Sequence, residues 1–144
     1  MKIDWSNRAH FFNKYELSYL KNFLKSSGNL TQGKELLKFE NDLKKYLKIK
    51  NIFALSSAAA ALEIIALLLN IKKGDEIIIP SHTYCASAIP FARNNAKIIW
   101  ADIDFNTRTI NVDDVKKKIT KKTKAIVIVH LYGFSVDVKL FKKV

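Results

Sequence analysis

A chain of 144 residues can bury one real core, and its hydrophobic share of 49% excludes an intrinsically disordered polypeptide. The formal net charge is +12, yet among the 25 basic residues only Arg8, Arg93 and Arg108 are arginine. Arginine is the residue that forks onto bases and phosphates, so a surplus carried by lysine does not point to a nucleic-acid partner. A single cysteine, Cys85, rules out an internal disulfide and a cysteine-built zinc cluster. Met1-Lys2-Ile3-Asp4-Trp5 lacks the apolar core of a secretion signal. Residues 62–69 are apolar but interrupted by Glu63, and too short to cross a bilayer. The expected setting is cytoplasmic, with no membrane partner.

The first predicted element is a helix over residues 15–26, with Leu17, Leu20 and Leu24 at helical spacing toward a core. Ser26-Ser27-Gly28-Asn29 stops it. After a loop at Leu30-Thr31-Gln32-Gly33, a second amphipathic helix is expected over residues 34–47. Its apolar face would hold Leu36, Phe39, Leu43 and Tyr46, with Glu40 and Lys44 as an i,i+4 pair. Residues 51–55 read as a strand, 58–69 as an apolar helix, and Gly74 as the glycine that follows a helix end. A strand follows at 76–80, a loop at 81–84, and a helix over 85–94 that Pro90 kinks or breaks. Further strands are expected at 97–101 and 123–129. Between them lies a helix over 112–119, capped by Asn111 with Asp114 reaching back. Asp113 and Asp114 open that helix and Lys116, Lys117 and Lys118 close it, an order that suits the helix dipole. His130-Leu131-Tyr132-Gly133 forms a loop, and a further helix should begin before Val144.

The strands are unbroken β-branched runs without alternation, the pattern of strands covered on both faces. Strands alternating with helices give an α/β fold with a mostly parallel sheet flanked by helices. The organisation expected is an N-terminal helical segment over residues 1–50 and an α/β segment over 51–144. Ligands of such sheets sit at the carboxyl ends of strands. Three loops meet that condition: residues 56–59, 81–84 and 130–133.

Of these, Ser56-Ser57-Ala58-Ala59 carries the clearest chemistry. A strand handing directly to a helix leaves free backbone N–H groups at the positive end of the helix dipole, which suits an anion. The serines offer hydroxyls to a phosphate, or serve only as helix caps. No glycine-rich dinucleotide turn and no Walker loop is present. Tyr84 sits just past a strand end, where its ring could stack on a planar ligand or remain a half-buried loop residue. His82 and His130 have no metal-ligand partner at short spacing, so no metal site is expected. Cys85 reads as a small buried residue rather than a nucleophile, and Asp102 and Asp104 could flank a cleft, although acidic residues in a turn need no such role.

Taken together, Leu30-Thr31-Gln32-Gly33, Phe39-Glu40, Ser56 through Leu62, Gly74 through Ser81, Asp102-Ile103-Asp104, Thr123 through Ile126 and His130-Leu131-Tyr132-Gly133 occur in an order that resembles the DegT/DnrJ-type sugar aminotransferases. These are fold type I enzymes that use pyridoxal 5'-phosphate (PLP). The resemblance runs from about Leu30 to Asp137. It implies that Ser57, Ala58 and Ala59 hold the cofactor phosphate and that Tyr84 covers the cofactor ring. It also implies a reaction moving an amino group, usually from glutamate, to a keto group on a nucleotide-linked sugar. That reaction serves surface polysaccharide or amino-sugar biosynthesis, in a homodimer whose sites are completed by the partner.

Ala59 departs from the family, which often has a threonine or serine there. The family's pyridine-binding aspartate and Schiff-base lysine come after the His-Leu-Tyr-Gly loop, at positions later than Val144. The resemblance therefore implies the incomplete, truncated large domain of such an enzyme, without its small domain. It assigns no catalytic residue to this chain, expects the chain alone to be inactive, and expects weak or absent PLP binding. The residues by themselves leave a second reading open: a small basic α/β binding module with an acidic or nucleotide partner.

Overall fold

In the computed structural model, which describes residues 14–26 and 28–144, the chain divides into two compact units, Met1–Ala54 and Leu55–Val144. The readings made for Met1 through Trp5 and for Ser27 fall outside the described residues.

The first unit contains α1 (Lys14–Lys25) and α2 (Lys34–Leu47). Tyr19 donates its hydroxyl to Glu35, linking the two helices. Gly33 precedes α2 because nothing larger fits: a Cβ there would lie 2.5 Å from the Asn29 carbonyl oxygen. At the other end of α2, Lys48 takes a left-handed conformation and returns its N–H to the Lys44 carbonyl. Helical spacing located both helices but overstated their burial. Leu17, Leu20 and Leu24 are exposed, as are Phe39 and Tyr46, whereas Leu36 and Leu43 are half-buried. Glu40 does not pair with Lys44. Its Oε1 accepts the Ala54 N–H at 2.9 Å, because a backbone donor with no ladder partner satisfies the carboxylate better than a solvated lysine does.

Residues 51–55 do not form the expected strand. Their composition suits one, but a strand exists only with a neighbour to pair with, and none flanks this segment among the described residues. Phe53 is accordingly 80% exposed.

The second unit is built on a parallel sheet. Among the described residues it has three strands in the order β2-β1-β3: β1 (Glu76–Pro80), β2 (Lys97–Ala101) and β3 (Thr123–Ile126). Ile77, Ile78 and Ile79 of the central strand are each 0% exposed. Alternation of side chains sends Ile77 and Ile79 to one face and Ile78 to the other. Ile77 and Ile79 pack with Ala66 of α3 (Ala58–Leu68) and with Phe91 of α4 (Ile89–Arg93). Ile78 packs with Ala101, Ile110 and Val136, and with Val115 of α5 (Val112–Lys118). Both faces of β1 are thus covered, as its unbroken isoleucine run required.

The β1–β2 register runs from Glu76 opposite Lys97 to Pro80 opposite Ala101. The strand expected at residues 123–129 ends instead at Ile126, and Pro80 explains why. Val127 still donates to the Ile78 carbonyl at 2.8 Å. The next bond of a parallel ladder would need an N–H from Pro80, which has none.

Three further local expectations are revised, and the break expected in the helix over 85–94 is present. Helix α3 ends at the left-handed Asn70 (φ 49°), which donates to the Leu67 carbonyl, and Gly74 serves the later Lys72–Asp75 turn. Asparagine tolerates that conformation through its short polar side chain. The helix expected over 85–94 is broken into a 3-10 turn, Cys85–Ser87, and α4, with Pro90 in the first turn of α4 where its missing N–H is harmless. Asn111 caps α5 by accepting the Asp113 and Asp114 N–H groups. Asp114 does not reach back to Asn111; its carboxylate accepts the Asp102 N–H at 2.6 Å, since the Asn111 N–H is already bonded to the Asp102 carbonyl. The last segment, Val138–Lys143, is a 3-10 helix.

Three carboxyl groups are held below the ordinary carboxylate range. Glu76 accepts from the Thr120 hydroxyl and then from Lys97, Asp104 from the Thr107 backbone, and Asp114 from the Asp102 backbone and then Lys118. The unfolded chain binds more protons at these groups than the folded one. Their stabilisation is therefore complete above the ordinary carboxylate range and falls away as the pH drops below it toward their lowered folded values. Melting temperatures measured between pH 7 and pH 3 are expected to show this loss, and Thr120→Val is expected to make it shallower. Separately, Ile78→Ala should destabilise the fold by about 2–5 kcal/mol, and Asn111→Ala by about 1 kcal/mol, both read from urea titrations.

Candidate phosphate-binding turn and its aromatic neighbour

Ser57 stands at the entrance of α3 in an extended conformation. Its Oγ accepts the Ala60 N–H at 3.1 Å, and its carbonyl accepts the Ala61 N–H at 3.2 Å. Those two bonds satisfy the third and fourth amides of the helix. The first two, on Ala58 and Ala59, have no hydrogen-bond partner among the described residues, as helix geometry dictates for an opening turn. Ser56, Ser57, Ala58 and Ala59 are all exposed, so no side chain plugs this corner. The first turn of α3 also carries no acidic residue that would offset the positive end of its dipole. The Ser57 oxygen is occupied as an acceptor, but its O–H proton remains available to donate.

Tyr84 stands at the carboxyl side of β1, where it opens the Cys85–Ser87 turn in an extended conformation. It is 75% exposed. The loop behind it is closed by a 2.7 Å hydrogen bond between the Thr83 and Ser87 hydroxyls. The Cys85–Ser87 turn packs against α3, as α4 does. Tyr84 and the start of α3 therefore belong to the layer on the Ile77/Ile79 face of the sheet.

The other residues singled out from the sequence take different parts. His82 and His130 stand at the ends of neighbouring strands, and His82 touches the ring of Tyr132 at 6.2 Å between centroids. Tyr132 carried no sequence signal beyond its place in the His-Leu-Tyr-Gly loop. Cys85 is exposed, not buried, and opens the short Cys85–Ser87 turn. Asp104 is a turn residue whose Oδ1 accepts the Asn106 and Thr107 N–H groups. Lys116 and Lys118 of α5 are paired with Asp113 and Asp114. No cluster of three or more histidine, cysteine or acidic residues suited to a metal occurs among the described residues. None of the helices described is long and apolar enough to cross a membrane.

Residues 12–144 match the DegT/DnrJ/EryC1/StrS aminotransferase family. The chain is 36% identical over 124 residues to GDP-perosamine synthase of Vibrio cholerae, covering 86% of this chain and 34% of the relative. It is also 36% identical over 124 residues, with the same coverage, to dTDP-3-amino-3,6-dideoxy-alpha-D-galactopyranose transaminase of Aneurinibacillus thermoaerophilus. Among solved structures, a Streptococcus pneumoniae protein described as a sugar aminotransferase, in its PLP form, superimposes with a TM-score of 0.84 at 31% identity. That match covers 92% of this chain and 34% of the other. The chain thus spans about a third of the length of these relatives. The family match spans most of the chain, and the fold superimposes over that third; the chain belongs to the DegT/DnrJ/EryC1/StrS aminotransferase family, whose members have the PLP-dependent fold type I architecture.

Proposed function

We propose that residues 1–144 form the part of a PLP-dependent sugar aminotransferase that seats the cofactor's phosphate and covers its ring. The observation that carries this reading is the pair of unbonded, exposed amides of Ala58 and Ala59 at the positive end of α3, beside the Ser57 hydroxyl. A phosphate dianion at that place would accept both N–H groups and the Ser57 O–H, and would meet the helix dipole at its favourable end. Ala59 contributes only its amide, where the family often adds a hydroxyl. Tyr84, fixed at the corner of its loop, has an exposed ring suited to lie over a planar heterocycle.

When bound, PLP supplies the electron sink that lets an amino group leave one carbon skeleton and join another. The residues of this chain bind and orient it. The reaction of the whole protein is read as transfer of an amino group from glutamate to a keto sugar linked to a nucleotide, in a cytoplasmic homodimer. Proton transfer at the reacting carbon needs a lysine, and the pyridine nitrogen needs an acidic partner. In the family pattern both follow the His130–Gly133 stretch at later positions, so residues 1–144 by themselves are expected to bind the cofactor weakly or not at all and not to turn it over.

The polypeptide of residues 1–144 is therefore expected to show no amino transfer above a blank with PLP, glutamate and a keto sugar nucleotide; measurable turnover would refute the assignment of roles. Equilibrium dialysis should detect at most weak PLP binding, displaced by inorganic phosphate. Ala59→Thr should tighten that binding about tenfold or more, the worth of one added hydrogen bond to a charged group. If Ala59→Thr leaves affinity unchanged, the phosphate does not sit at the start of α3.

A further inference from the structure

Strands β1 and β3 are neighbours, but the chain leaves them toward opposite faces of the sheet. After β1 it runs to Ala88 and Phe91 on the Ile77/Ile79 face; after β3 it runs to Val136 and Phe141 on the Ile78 face. Backbone pairing between the two strands ends with the Val127 N–H bonded to the Ile78 carbonyl, because Pro80 has no N–H to offer next. Past that point the two loops touch through side chains: the His82 and Tyr132 rings, 6.2 Å apart between centroids and inclined at 59°.

Tyr132 makes that contact from a backbone conformation that tyrosine avoids, with φ 51° and ψ 29°. Such a conformation persists only where the surroundings hold it. The ties are visible. Phe134 donates its N–H to the Leu131 carbonyl at 2.9 Å, and Gly133 absorbs a second positive φ of 84°. The Val136 N–H is donated to His130 Nδ1 at 3.0 Å. Val136 is buried against Ile78, Ala101 and Val115, so this last bond fastens the loop between a strand end and the core.

We propose that His130 is a positioning residue. By accepting the Val136 N–H at Nδ1 it holds the turn that presents Tyr132 to His82, and through that contact it steadies the loop bearing Tyr84. The relevance of this loop to the cofactor rests on the function proposed above; the coupling of the two loops does not. The acceptor must be Nδ1, so the imidazole carries its proton on Nε2. Asparagine places a carbonyl oxygen near the Nδ1 position, whereas glutamine places one near Nε2. The two amides therefore separate an acceptor role from mere bulk.

The test is hydrogen–deuterium exchange of the full chain, without cofactor, resolved to peptides by mass spectrometry. His130→Gln is expected to speed exchange at the Val136 amide about tenfold and over residues 81–87 several-fold, with Ile77–Ile79 unchanged. His130→Asn should restore both toward the parent. Tyr132→Leu should speed residues 81–87 and leave Val136 protected. The proposal is overturned if residues 81–87 respond to neither His130→Gln nor Tyr132→Leu, if His130→Asn behaves like His130→Gln, or if exchange rises throughout, including in β1. PLP dialysis is scored separately: unchanged affinity in Ala59→Thr would sink the cofactor reading while leaving the exchange result to decide the coupling.

Discussion

Burial of three consecutive isoleucines in the central strand is the constraint from which the architecture follows. Because side chains alternate along a strand, Ile77 and Ile79 require one covering layer and Ile78 another. Neither layer can be solvent: each buried isoleucine is worth roughly 1.5–3 kcal/mol relative to exposure. Helices α3 and α4 cover one face, and α5 with the Val136–Phe141 region covers the other. Parallel neighbours follow in turn, since each strand must return to the same end of the sheet after its helix. Every loop that follows a strand is delivered to the carboxyl edge.

That placement produces the site. Helix α3 must lie on the sheet by Ala66 and Leu62, and this fixes where its first turn begins. The same layer contains the turn that Tyr84 opens. A helix start with two unbonded amides and an exposed aromatic ring thus come from one packing requirement, without a dedicated glycine-rich loop. The Ser57 side chain satisfies one amide and its carbonyl a second, which leaves the Ala58 and Ala59 amides on which the proposed phosphate site rests.

The sequence was most legible where local and tertiary signals agreed. The bounds of α2, β1 and β2 follow from amphipathic spacing and from unbroken β-branched runs. It was least legible where partners decide. Nothing in Phe53-Ala54-Leu55 reveals that no strand flanks it among the described residues, and nothing at Leu17 or Tyr46 reveals what faces it. Asn70 outranked Gly74 as the helix stop because its side chain makes a left-handed turn tolerable. Asp114 chose the Asp102 amide over Asn111, a preference set by a loop twelve residues away in sequence. The start of α3 was legible from Ser57 alone, since capping is local. The Tyr132–His82 contact was not, since it joins loops separated by two crossovers.

Proline at the end of a central strand has a consequence beyond chain stiffness. Pro80 keeps its full pairing with β2 on one side, where Ser81 donates to the Ala101 carbonyl at 2.8 Å, and withholds it on the other. The sheet is therefore seamed along one border of β1 and unseamed along the other, like a garment with a vent. A residue able to donate at position 80 would close that slit by one stitch and draw the His82 and Tyr132 loops into the ladder. The imino acid leaves the rim of the sheet free to be shaped by side chains.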